Sequence, residues 1–208
     1  INTIDIGAYE FQGPDCGLFT TGIVYVDSAA TGLNNGSSWA NAYTDLQDAL
    51  LAKRLCDQVD TIKVAQGTYY PSDSVFSYDV CGVLISSLPP DRTISFDIPD
   101  SAIVLGGYEG ILGDTTALRN WVCNKTILCG DIDRNGDTMN NSYHVVTTTR
   151  VSEQTVVDGF CITGGNANGY SFPINSGGGW FNDGSGPGNR STPTLLNIMI
   201  RDNYALNG

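Results

Sequence analysis

Apolar residues recur at every second position in short runs along most of this chain. Residues 1–12 place Ile4, Ile6 and Ala8 on one side of an extended segment, which Gly13-Pro14-Asp15 ends. A second strand is predicted over Gly22-Ile-Val-Tyr-Val-Asp27, with a loop over 32–38. Helical periodicity replaces alternation only once. Thr44-Asp-Leu-Gln47 has capping-box spacing, Leu46, Ala49 and Leu50 recur at helical intervals, and Lys53 and Arg54 suit the C-terminal dipole. That helix is expected near 44–56, ending around Cys56-Asp57. Strand-like runs then return at 61–65, 102–105, 126–129, 156–163 and 195–201, with shorter ones at 93–98 and 143–147.

Two of these runs repeat one another. Gly159-Phe-Cys-Ile-Thr-Gly-Gly-Asn-Ala167 reads against Asn197-Ile-Met-Ile-Arg-Asp-Asn-Tyr-Ala205. The alignment sets Phe160 against Ile198, Ile162 against Ile200 and Ala167 against Ala205. Similar strands separated by turns, with no hairpin between them, stack in parallel along a coil. The expected fold is all-β, a parallel β-helix. The amphipathic helix is read as a cap on its N-terminal end, because a β-helix exposes its apolar interior at each end. Long excursions at 70–92 and 168–194 are compatible with such a coil, since each rung needs only its neighbours.

Composition agrees. Charged residues are 15% of the chain, and 19 of the 22 acidic residues are Asp, which favours turns over helices. A net charge of −12 argues against nucleic acid as a partner. No apolar stretch approaches the roughly 20 residues that span a bilayer, so no membrane insertion is expected. Six cysteines, Cys16, Cys56, Cys81, Cys123, Cys129 and Cys161, lack zinc-type spacing and fit an oxidising, extracellular compartment. Alternation turns Cys161 away from the interior, which makes it a disulfide candidate; buried free thiols are the alternative. The chain begins at Ile1, as expected of a processed protein or of an excerpt from a longer one.

The motifs Val26-Asp27, Asn35-Gly-Ser-Ser-Trp39, Ala42-Tyr-Thr-Asp-Leu-Gln-Asp-Ala-Leu50, Ile62-Lys-Val-Ala-Gln-Gly-Thr-Tyr-Tyr-Pro71, Gly106-Gly-Tyr-Glu-Gly110 and Gly130-Asp-Ile-Asp133 stand in that order. With Asp158-Gly-Phe160 and Ile162–Ala167 they resemble secreted bacterial right-handed parallel β-helix proteins, the polymorphic outer membrane protein-like or choice-of-anchor repeat family. The resemblance covers most of 22–208. It implies a right-handed coil, export, and an extracellular or bacterial cell-surface location, without an activity. Asp5-Ile-Gly-Ala-Tyr-Glu10 resembles the strand that closes the C-terminal end of such proteins, yet it stands at the N-terminus. Residues 1–21 are accordingly read as an N-terminal strand and linker, 22–208 as the β-helix.

Candidate chemistry is sparse. Asp131, Asp133, Asn135 and Asp137, with Gly136, form the first half of a calcium loop, but Ser142 occupies the position of the bidentate Glu. The competing reading is an Asp/Asn-rich turn. His144 is the only histidine and has no recognisable nucleophile beside it. Asp158 as a catalytic acid needs a second carboxylate, and none can be assigned. Arg134, Arg150 and Arg201 belong to no lyase signature, and Trp39, Trp121 and Trp180 suit packing as well as sugar stacking. Four N-glycosylation patterns begin at Asn35, Asn124, Asn140 and Asn189.

Three classes of function remain: a self-assembling extracellular structural protein, an adhesin or carbohydrate-binding module that takes cell-surface or matrix polysaccharide, and a polysaccharide lyase or glycoside hydrolase. The first is favoured, and no enzymatic role is expected. Its partner is a second copy. Ile4, Ile6, Ala8, Tyr9 and Phe11 are expected to add as a strand to the edge formed by Leu195, Ile198, Ile200 and Tyr204.

Overall fold

The computed structural model describes residues 13–72, 91–113, 119–186 and 190–207. Its strands are all parallel and wind as a coil of about four turns with three principal faces. The first face stacks β1 (Ile23–Val26), β2 (Thr61–Ala65), β5 (Ile103–Tyr108), β8 (Val156–Asp158) and β12 (Thr194–Leu196). The second stacks β3 (Gly67–Tyr69), β6 (Thr126–Cys129), β9 (Phe160–Thr163) and β13 (Met199–Ile200). The third stacks β4 (Phe96–Asp97), β7 (Val146–Thr149) and β11 (Trp180–Asp183). A two-strand ladder of β10 (Asn166–Ala167) and β14 (Tyr204–Ala205) lies between the second and third faces along the chain. The runs at 102–105 and 126–129 therefore belong to two faces of one turn.

Alternation determines what each face buries. On the first, Val24, Ile62, Val104 and Val157 occupy one register row, and all are almost fully buried. On the second, Tyr69, Leu128 and Ile162 form the equivalent row. Phe96 and Val146 line the third, in register with Trp180. Each such aliphatic side chain contributes about 1.5–3 kcal/mol by leaving water. The last two turns keep the offset read from the sequence: Ile162 lies on Ile200, which sets Phe160 against Ile198. A chain of polar bonds runs from buried Thr148 to the exposed Asn182. Trp180 Nε1 donates to Thr148 Oγ1, which donates to Asn182 Oδ1, and Asn182 Nδ2 reaches the Ser191 carbonyl, each at 2.9 Å. The buried Thr148 hydroxyl is thereby satisfied.

Corners are made by single residues in the left-handed region. Gly159 (φ 85°) and Asn197 (φ 50°) turn the chain from the first face to the second, and Ser101 and Arg150 turn it from the third to the first. At Gly159 a side chain is excluded: an added Cβ would sit 2.3 Å from Arg119 Nη2 and 3.0 Å from the Gly106 carbonyl.

The helix α1 (Leu46–Leu55) packs against β1, β2 and β4, which include the first strands of two faces. Leu46, Ala49, Leu50 and Ala52 join the common core, so α1 extends that core at the N-terminal end. Its start differs in detail from the capping box. Asp45 is the N-cap, accepting from Gln47 N at 2.9 Å. Thr44 is instead held by Asn34, and the Gln47 amide donates to the carbonyls of Ser72 and Ser95, leaving nothing to reach back. Its C-cap, Cys56, forms a disulfide with Cys16, at a 3-10 turn spanning Cys16–Leu18.

Two outcomes follow for stability. Ile162→Asp places an unpaired charge in a fully buried row and is expected to cost about 4 kcal/mol in urea unfolding. Cys16→Ser with Cys56→Ser opens a closed loop of 40 residues; the loss expected is about 4 kcal/mol. Calorimetric melting of the double variant against the oxidised parent checks it.

Candidate functional site

The residues singled out in the sequence fall at three places. The acceptor residues expected for assembly lie at the last turn of the coil. Leu195, Ile200 and Tyr204 stand on β12, β13 and β14, and each of these strands pairs on one side only among the described residues. Leu195 follows Val157 in the interior row yet is 42% exposed, and Ile200 follows Ile162 yet is 50% exposed. Tyr204 is 53% exposed, while Ile198 is partly buried against the core. Apolar side chains of the interior rows are thus left uncovered at this end among the described residues. Asn203 holds the edge to the turn beneath it, accepting from Gly165 N at 2.8 Å and donating to the Ile162 carbonyl at 3.0 Å. The proposed donor residues Ile4, Ile6, Ala8, Tyr9 and Phe11 lie outside the described residues.

The Asp131 loop forms the second place. Asp131 accepts from the backbone N–H groups of Asn135 and Gly136, at 3.2 and 3.0 Å. Asn135 Oδ1 accepts from Asp137 N at 2.6 Å, and Asp137 Oδ1 from Met139 N at 2.9 Å, where it caps a short 3-10 turn. Asp133 accepts from the amides of Asn135 and Asn140. These oxygens follow the loop's own backbone, the pattern of successive Asx turns. Among the described residues no three His, Cys, Asp or Glu side chains converge as a metal-binding group. A calcium ion here would replace several of these internal bonds.

Asp158 stands at the corner between the first two faces, and the free Cys129 and Cys161 lie on the second face. Asp158 accepts from Arg119 Nη1 at 2.5 Å and from Asn197 Nδ2 at 2.7 Å. The guanidinium bond, aided by Asn197, outweighs desolvation and holds the Asp158 carboxyl below the usual carboxylate range. Arg119 also reaches the Gly106 carbonyl, so the pair ties the segment from Arg119 onward to the coil. Both Asp158 oxygens are engaged, Oδ2 by Arg119 and Oδ1 by Asn197, while Arg119 Nη2 is buried without a partner. Cys161 does turn outward, in register with Ile127 and Met199, but it is buried beside Trp121 and Arg201 and forms no disulfide. Outward direction did not make it a bonded cysteine, because the corner segment carrying Trp121 covers that face. Cys123 and Cys129 are free as well, and burial pushes the Cys129 thiol up. Cys81 lies outside the described residues.

His144 is buried and stacks on Phe181 with ring centroids 4.8 Å apart. Its Nδ1 faces the Gly177 carbonyl at 3.1 Å. Phe181 was not singled out from sequence: no local signal marks its pairing with Thr147, which comes from an adjacent turn of the coil. Arg134 lies over the Tyr70 ring at 4.6 Å, and Arg201 pairs with its neighbour Asp202. Trp39 packs edge-on against Tyr25. No described helix is long and apolar enough to cross a membrane. Comparison with protein-family models, with curated proteins and with solved structures finds no match.

Asp158 yields a pH prediction. Its folded pKa is depressed, so its stabilisation is complete above the unfolded carboxylate value of about 3.9 and is lost as pH falls through the folded value. Asp158→Asn is expected to be about 2 kcal/mol less stable at neutral pH, because Arg119 loses its charged partner. The difference from the parent should narrow below about pH 4, as acid protonates the parent's own carboxyl. Urea midpoints across pH 2–7 check both.

Proposed function

We propose that this chain is an extracellular structural β-helix that assembles end to end by strand addition. The observation that carries the reading is the edge at β12–β14, where Leu195, Ile200 and Tyr204 are about half exposed although two of them continue buried interior rows. Unpaired strand edges with apolar side chains recruit another strand. The occupant is the segment 1–12 of a second copy. Its alternation matches an edge of this kind, and its resemblance to a closing strand supports the assignment. Donor and acceptor surfaces differ, so the contact is heterologous and propagates as a filament. The motif resemblance and the Cys16–Cys56 disulfide support an extracellular setting.

The parent protein is expected to polymerise with rising concentration in light scattering and to form filaments under the electron microscope. Deleting residues 1–12 should leave a folded monomer, and Leu195→Asp should do the same from the acceptor side. A parent that stays monomeric at high concentration, or filaments unaffected by the deletion, overturns the reading.

A further inference from the structure

A second feature lies away from the edge. Helix α1 and the outward side of the third face border an open cleft of about 710 Å³, lined in part by Arg54, Thr147, Thr149 and Phe181. This volume is in the range of small-molecule sites. Its chemistry is mixed. Phe181 is partly buried and fixed by His144 on one ring and Phe172 on another, the latter at 5.6 Å. An aromatic side chain held this way offers contact area at little entropic cost. Hydroxyls line the same wall: Ser95 and Thr147 bond to each other at 2.8 Å, with Thr93 and Thr149 nearby. Thr93 Oγ1 donates to Asp91 Oδ1 and one of Ser95 and Thr147 donates to the other, so these two hydroxyls offer a ligand acceptor lone pairs, while the rest can also donate.

His144 also lines the cavity. Its Nδ1 faces a carbonyl, which can only accept, so Nδ1 carries the proton and Nε2 is a bare acceptor. Nε2 is buried and has no hydrogen-bond partner. Burial lowers the pKa of the ring, which keeps it neutral. A buried acceptor left without a donor is unfavourable. The charges in the cavity cancel: Arg54 and Asp97 are paired at 2.7 Å. With a net charge of −12 on the chain, acidic ligands are repelled.

We propose that this cavity binds a neutral saccharide, with a sugar face against Phe181 and ring hydroxyls on the Ser/Thr wall. The site is separate from the assembly edge, since Leu195, Ile200 and Tyr204 do not line it. A chain could therefore polymerise without binding sugar, or bind sugar without polymerising.

His144 is the only histidine, so its imidazole resonances report on the cavity without ambiguity. The full chain is titrated with cellohexaose, maltohexaose, mannohexaose and xylohexaose to about 10 mM, a range that detects millimolar affinity. At least one should move the His144 signals saturably. Phe181→Ala should weaken that response about tenfold or more through loss of the aromatic face, whereas Leu195→Asp should leave it intact. Should Phe181→Ala fail to fold, Phe181→Leu keeps apolar volume and removes the stacking face. No response to any of the four sugars overturns the proposal, and so does an undiminished response in a folded Phe181 variant.

Discussion

Register between successive turns is the constraint on which this fold depends. Val24, Ile62, Val104 and Val157 must fall on one line, because a slip of one residue in any strand would exchange its buried side chains for its outward ones. The helix, the corners and the polar chain at Thr148 are arranged around that line. Left-handed residues at the corners stop each strand after a few residues, so the next face begins in phase. Thr148 can be buried only because the adjacent turn places Trp180 and Asn182 at hydrogen-bonding distance.

The last two turns were the most legible part of the chain. They share one spacing, so Cys161 on Met199 and Asn166 on Tyr204 could be read by eye. Earlier turns carry insertions of different lengths: Ile103 pairs with Val156, but Thr126 pairs with Phe160. Runs that belong to two faces of one turn then look like successive rungs. The helix was legible from its periodicity, although its cap is Asp45, one residue after the Thr44 that the capping-box spacing marks, because Asn34 holds Thr44. Cysteine pairing was not legible. Cys16 and Cys56 meet because the segment before β1 returns to the end of α1, a contact that alternation does not encode.

The candidate sites show the same division. Leu195 and Ile200 were found because edge and interior positions follow from the repeat. Asp131 and its neighbours were found by motif, and the structure shows their oxygens occupied by local N–H groups, which is how Asp and Asn build turns without a ligand. The cavity was missed because Arg54, Thr147 and Phe181 belong to α1, β7 and β11, which only the coil places side by side.

The unequal insertions have a consequence for how this surface can change. They leave the coil between strands and rejoin it in phase, so their length does not enter the register of the buried rows. Doubling such a loop adds only about 0.6 kcal/mol of closure entropy. Residues 170–173, which bring Phe172 to Phe181, can therefore be lengthened, shortened or exchanged while Gly177, Gly178 and Gly179 keep their bonds to His144, Val145 and Val146. What the molecule displays is mechanically uncoupled from what holds it together, and selection can act on the two at different rates.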